Sequence, residues 1–226
     1  MSFGKPNNNS AQKALSFKIK VKDLPAPIFE VKQRDEDGKW GLLKTKDAVT
    51  YVAGDLVAIE AKENEWDGDI IRSVSVSLMD NDEIYFVTIP CTNTGRNLMN
   101  SFAALKSFDK VSISLYMSKP SKKDGKTYPS ACLRQDDALV KGKFSQEDLP
   151  SPEEVIFKGK TQRDFSACES FLLEQIKELT PLVKDYSTSR SSSQENPSSQ
   201  RQDTTTSGNE HQDPDVEANE DDDVPF

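Results

Sequence analysis

A single histidine, His211, occurs in 226 residues, and it lies in a stretch without large apolar side chains. That scarcity removes the Ser-His-Asp triad, the Cys-His dyad and a histidine-ligated zinc from any folded site. Cysteine is little more abundant. Cys91, Cys132 and Cys168 are odd in number, far apart and never in a C-x-x-C pair, so reduced thiols are expected rather than a zinc site or a disulfide framework. No G-x-x-x-x-G-K-[ST] loop is present, which excludes a Walker-type phosphate cradle. No apolar run approaches the roughly 20 residues of a membrane span. Met1-Ser2-Phe3-Gly4-Lys5-Pro6 and the three asparagines after it lack the apolar core of a signal peptide. These absences predict a soluble, intracellular protein without cofactor or metal. Carboxylates are numerous enough to build a metal-dependent nuclease, but Asp35-Glu36-Asp37, Asp80/Asp82/Glu83 and Asp136-Asp137 fall where turns are expected. No enzymatic activity is expected.

Charge is present but unevenly placed. Residues 187–226 hold two cations, Arg190 and Arg201, against ten carboxylates, a net of −8 within a chain total of −9. Residues 1–186 hold 27 cations and 28 carboxylates and are nearly neutral. The isoelectric point of about 4.8 therefore describes the tail and does not exclude a polyanionic ligand. From Ser187 to Asp215 there is no Leu, Ile, Val, Met, Phe, Tyr or Trp. Such a segment cannot bury enough surface to offset the entropy of ordering it, and residues 187–226 are expected to be a disordered tether. Residues 1–12, polar and Asn-rich, are expected to be disordered as well.

Between them, period-two alternation dominates. Leu15, Phe17, Ile19 and Val21 oppose Ser16, Lys18, Lys20 and Lys22, and Val74, Val76 and Leu78 oppose Ser73, Ser75 and Ser77, each the pattern of a half-buried strand. Further strands are expected at 28–31, 40–43, 55–62, 84–89, 127–134 and 138–141. In 110–118, Val111, Ile113, Leu115 and Met117 are expected inward, with Ser112, Ser114, Tyr116 and Ser118 outward. One short helix is expected at 97–107, with Leu98, Phe102 and Leu105 on one side. At least six strands with one helix late among them suit a small closed barrel or a sandwich spanning 13–150. Pro150 and Pro152 are expected to close it. A helical extension, 151–186, carries an apolar stripe of Phe165, Cys168, Leu172, Ile176 and Leu179, ending at Thr180-Pro181. The stripe is expected to pack on the barrel or on a partner subunit.

Basic and aromatic residues on outer strand faces are what single-stranded nucleic acid requires, lysines for phosphates and rings for unpaired bases. Lys18, Lys20 and Lys22 form an outward row, which equally suits a solvated edge that discourages aggregation. Lys119, Lys122, Lys123 and Lys126 lie on a loop expected to be flexible, with Tyr116 before it and Tyr128 after it. Trp40 and Trp66 sit beside turns, placed either to stack on bases or to plug the barrel ends.

The sequence closes on Asp221-Asp222-Asp223-Val224-Pro225-Phe226. Its acids attract a basic surface over about a Debye length. Pro225 lowers the entropy lost on docking, Phe226 offers a ring for an apolar pocket, and the α-carboxylate suits an arginine. These six residues resemble the acidic tip of bacterial single-stranded DNA-binding proteins, and the order of β-rich domain, low-complexity linker and tip is similar. The resemblance implies an oligonucleotide-binding (OB) fold, hence an all-β, OB-fold-like small barrel with an added C-terminal helix and an acidic tail. It implies binding of single-stranded DNA and recruitment of replication, recombination or repair proteins through residues 221–226. The chain departs from the bacterial pattern in its folded part and looks more like a bacteriophage-encoded member, acting in the cytoplasm of a bacterium or an infected host. An adaptor or annealing protein with weak DNA affinity is the alternative. Phe226→Ala is expected to leave affinity for oligo(dT) nearly intact while weakening capture of partner proteins by the immobilised tail, read by side-by-side pull-down and fluorescence titration.

Overall fold

The computed structural model describes residues 12–18, 27–34, 37–43, 47–81, 83–122, 124–157 and 159–194. In chain order the first strands are β1 (Gln12–Lys18), β2 (Ile28–Arg34), β3 (Trp40–Leu42), β4 (Tyr51–Trp66), β5 (Asp69–Asp80) and β6 (Glu83–Pro90). Helix α1 (Asn93–Phe102) precedes β7 (Val111–Met117), β8 (Pro129–Gln135) and β9 (Ala138–Leu139). A hairpin of β10 (Glu153–Phe157) and β11 (Lys160–Asp164) then leads into α2 (Ser166–Gln194). Nine strands form one sheet in the order β3-β2-β1-β6-β5-β4-β7-β8-β9, and β10-β11 stand apart as a second sheet. The first sheet is antiparallel except where β1 runs parallel to β6. Its order is linear, so among the described residues no hydrogen-bonded seam closes it into the barrel expected from the alternation.

β4 organises the sheet. Its first residues, Tyr51–Gly54, pair with β7, and Asp55–Trp66 pair with β5. One strand serves two partners because it bends where the pairing changes. Gly54 meets β5 so closely that a Cβ would lie 2.7 Å from the Met79 carbonyl oxygen, and the register shifts between Leu56 and Ala58, the extra residue of a β-bulge. Two-residue hairpin loops complete the antiparallel ladders. Asp67-Gly68 (φ 53° and 81°) and Asp136-Asp137 (φ 47° and 63°) occupy the left-handed region that twist-matched hairpins require and that Gly and Asp tolerate.

Alternation in β5 is as expected, with Val74, Val76 and Leu78 fully buried. In β7 it breaks at two points. Met117 is 42% exposed because β7 runs past the start of β4, where Tyr51 faces Ser114, and has no core beneath its end. Ser112, expected outward, is buried at 4% between Ala53 and Arg134, where a small side chain fits. Lys13 of β1 donates to Glu83 of β6 at 2.8 Å. The Tyr85 hydroxyl also donates to Glu83, and this bond together with burial pushes the phenol up to about 12.

α1 begins four residues earlier than the spacing suggests because Thr92 caps it, accepting the Gly95 N–H at 3.2 Å. A Cβ at Gly95 would lie 1.8 Å from the Pro90 carbonyl oxygen, so glycine lets the helix sit on the end of β6. Leu98, Phe102 and Leu105 are buried. Two expectations beyond Leu149 are corrected. Pro150 and Pro152 do not end the strands, since β10 and β11 follow them. α2 does not stop at Thr180-Pro181 but continues to Gln194 with Pro181 inside. The Thr180 hydroxyl lies 2.9 Å from the Ile59 carbonyl and 3.0 Å from that of Ile176, tying the turn to β4. Past the proline, Val183 is fully buried, and Tyr186 packs edge-on against Phe108 at 5.5 Å and donates to Asp109. Tertiary burial of a further turn outweighs one lost backbone bond.

The apolar stripe of α2 packs on the main sheet, mostly against β4, with Leu172, Leu173, Ile176 and Val183 joining the single core. Its N-terminal end is held by Glu169, 2.9 Å from Arg96 of α1 and 3.8 Å from Arg72 of β5. Arg96 also stacks on the Phe165 ring at 3.9 Å. No helix among the described residues is long and apolar enough to cross a membrane. Glu169→Ala leaves the largely covered Arg96 guanidinium without its carboxylate and takes one of two from Arg72, which keeps Glu63 at 3.3 Å. It is expected to destabilise the fold by about 2 kcal/mol, measured by urea unfolding with an unchanged m-value.

Candidate nucleic-acid interface

Directly opposed residues on paired strands project to one face, so the register maps the outer surface. On β7, Tyr116 faces Ser130 and is 46% exposed. Tyr51 of β4 faces Ser114, which makes it the diagonal neighbour of Tyr116. Tyr128 precedes β8 by one residue and shares this outward parity. The three exposed tyrosines therefore follow one another across β4, β7 and β8, within the reach of diagonal aromatic contacts.

The segment joining β7 to β8 carries Lys119, Lys122 and Lys126 beside these rings. It is more ordered than the expected flexible loop, because backbone bonds continue the ladder through it. Ser118 N–H donates to the Tyr128 carbonyl at 2.8 Å, Ser121 N–H to that of Lys126 at 2.9 Å, and Gly125 N–H to that of Ser121 at 2.8 Å. The Tyr128 hydroxyl donates to Asp124. That bond raises the phenol's pKa and lowers the carboxyl's, and it ties the hydroxyl to the segment while the residue stays exposed. Asp124 thus spends its charge on Tyr128, and the lysines point into solvent.

A second aromatic group lies across the sheet. Leu42, Lys32, Ala14, Phe86, Ser77 and Ala58 form one cross-strand row from β3 to β4. Trp40, opposite Arg34, meets Phe86 edge to face at 6.4 Å and 89°. Small hydroxyl side chains, Ser73, Ser75, Ser77 and Thr88, cover the rest of the β5–β6 outer face. They leave room for a backbone or a base to approach.

Trp66 sits elsewhere. The β4–β5 hairpin extends past its neighbours as an arm in which residues 62–71 are all exposed. Trp66 (73%), Ile70 (58%) and Ile71 (49%) stand at its tip, among five carboxylates and two cations over residues 60–72. The arm and the lysine segment flank one end of the β5–β6 face. Cys91 N–H donates to Arg72 at the arm's base (3.1 Å), and the Thr94 hydroxyl donates to Pro129 (2.9 Å). A cleft of about 1110 Å³ that has Tyr51 in its wall is acidic, lined also by Asp55, Asp80, Asp109, Asp136 and Asp137 with Lys110 and Arg190. Arg190 of α2 bridges Asp55 and Asp109 across it.

Of the residues expected to contact DNA, the structure brings Tyr116, Tyr128, Lys119, Lys122 and Lys126 together. Trp40 lies at the opposite edge of the strand order and Trp66 on the acidic arm. Lys18 ends β1, while Lys20, Lys22, Lys123 and the tip residues 221–226 lie outside the described residues. Tyr51, Phe86, Lys32 and Arg34 were not anticipated. The alternation through 84–89 could have flagged Phe86 as outward, but Tyr51 gains meaning only from its partner strand. Among the described residues no cluster of three or more His, Cys, Asp or Glu is placed to hold a metal ion. Burial, reinforced by Glu169, pushes the Cys91 thiol up to about 12, which leaves it protonated and a poor nucleophile at neutral pH.

No family model, no curated protein and no solved structure matches this chain. Tyr116→Ala is expected to weaken binding of oligo(dT) about tenfold, and Tyr116→Phe to leave it nearly unchanged. Both are measured by fluorescence titration, with unaltered melting as the control.

Proposed function

We propose that this chain binds single-stranded DNA, largely without sequence preference and without catalysis, in the cytoplasm of a bacterium or of an infected host. In this reading the tip at 221–226 recruits replication, recombination or repair proteins. One observation carries the DNA-binding half: three exposed tyrosines in succession beside a segment of free lysines, the pairing of stacking surface and phosphate charge that unpaired strands need. The connectivity supports it. β4-β5-β6-α1-β7-β8 is a three-strand meander, a helix and a hairpin whose first strand returns to β4, the long, bent strand shared by two partners. We read this as an OB-type barrel core. In such a fold oligonucleotides cross the second and third strands and are flanked by the loops joining strands one to two and four to five. Here those are the serine-rich β5–β6 face, the arm and the lysine segment.

The arm favours the second reading, a protein adaptor with weak DNA affinity. Five carboxylates around Trp66 repel phosphates and suit a basic protein surface better than a nucleic acid.

The two readings separate in a salt series on oligo(dT) and on duplex of equal length. A DNA-coating protein is expected to prefer the single strand, with log K falling linearly in log salt by about 0.7 per phosphate contact. Because the tail competes with phosphates for the lysines, a chain ending at Gln194 is expected to bind more tightly than the full chain at low salt, the two converging as salt rises. Absence of low-salt binding by the shortened chain would overturn the DNA-binding reading and leave the adaptor.

A further inference from the structure

The β10–β11 hairpin is a two-stranded sheet on its own. Among the described residues neither strand pairs with any other strand. Every described side chain from Glu153 to Arg163 is exposed, with Ile156 at 81%. A two-stranded hairpin in water is at best marginally stable, and both of its edges offer unpaired backbone groups to another chain.

The two edges differ in what they accept. On β11, Lys160-Thr161-Gln162-Arg163-Asp164, two copies placed antiparallel about Gln162 set Lys160 of each opposite Asp164 of the other, and Gln162 opposite itself. Moving the register by one residue sets Lys160 against Arg163. The opposite shift leaves Lys160 without a carboxylate. Of these three registers the Gln162-centred one alone matches opposite charges, and it does so twice while pairing all five residues. Within one chain Asp164 lies opposite Glu153, an unfavourable pairing of like charges that a lysine from a second copy relieves. The carboxylate remains available, because its contacts to Ser166 N–H (2.8 Å) and hydroxyl (2.6 Å) use Oδ1 alone. On the β10 edge, Glu153-Glu154-Val155-Ile156-Phe157, there is no cation to face the two glutamates.

We propose that β11 is a self-association edge. Two copies of this chain join antiparallel through residues 160–164 about a two-fold axis at Gln162, making a four-stranded sheet β10-β11-β11-β10. Such an isologous contact closes on itself, so it yields dimers rather than filaments. It adds two strands to each hairpin, which meets the minimum for a stable sheet. It does not depend on DNA binding.

Cysteine cross-linking on the full chain tests the register. In Gln162→Cys the two new thiols face each other across adjacent strands at a Cα separation of about 5 Å, inside disulfide range. In Ile156→Cys the two thiols are three strand spacings apart, about 14 Å, and outside it. Under mild oxidation the first variant is expected to form a covalent dimer, while the second and the unsubstituted chain with its own three cysteines do not. In sedimentation, Lys160→Glu turns two attractions into repulsions and is expected to weaken self-association about tenfold, with melting and oligo(dT) binding unchanged. A chain that sediments as a monomer at all concentrations overturns the proposal. So do equal cross-linking at 156 and 162 and self-association insensitive to Lys160→Glu.

Discussion

The bend in β4 is the constraint on which the rest of the molecule depends. The 16 residues of β4 outrun the 12 of β5, which pairs only with Asp55–Trp66, so the first four are left to hold the β7–β8 hairpin to the sheet. Gly54, pressed against the Met79 backbone, and the bulge between Leu56 and Ala58 let one strand serve β5 with its later residues and β7 with its first four. The sheet curls around that point, and the side chains on its concave side become one core. α2 then lies along β4, burying Leu172, Leu173 and Ile176. Its two ends are tied by charge, Glu169 to Arg72 and Arg96 at one and Arg190 to Asp55 and Asp109 at the other.

The same curl distributes charge over the outer surface. Carboxylates gather on the β4–β5 arm and in the cleft crossed by Arg190, whereas the β7–β8 segment presents lysines beside exposed tyrosines. The two surfaces adjoin at Tyr51, which lines the acidic cleft and stands diagonal to Tyr116.

Much of the secondary structure was legible because alternation at period two is a local signal. Val74, Val76 and Leu78 announced β5 and its serine face, and Val111, Ile113 and Leu115 announced β7. The turns at Asp67-Gly68 and Asp136-Asp137 were legible for a similar reason, since few residues accept positive φ. Pro181 misled, because local reasoning counts the lost backbone bond but cannot see Val183 and Tyr186 finding the core one turn later. Pro150 and Pro152 misled likewise, since β10 and β11 hold together by pairing with each other and carry no buried stripe to betray them. Ser112 and Met117 broke their parity because burial depends on whether a neighbouring strand extends far enough to cover the position.

For the interface, the sequence by itself determined which residue types were available: Tyr116, Tyr128 and the lysines between them, the arm's carboxylates and the six residues of the tip. Their proximity along the chain made the Tyr116–Tyr128 group readable, since two adjacent strands joined by a short segment share a face. Only the tertiary structure decided that Tyr51, 65 residues from Tyr116, joins them, that Trp40 pairs with Phe86 instead, and that Trp66 stands apart among acids. Those placements follow from strand order and register. Both are fixed by hydrogen bonds and packing between segments distant in the chain, to which no local pattern has access.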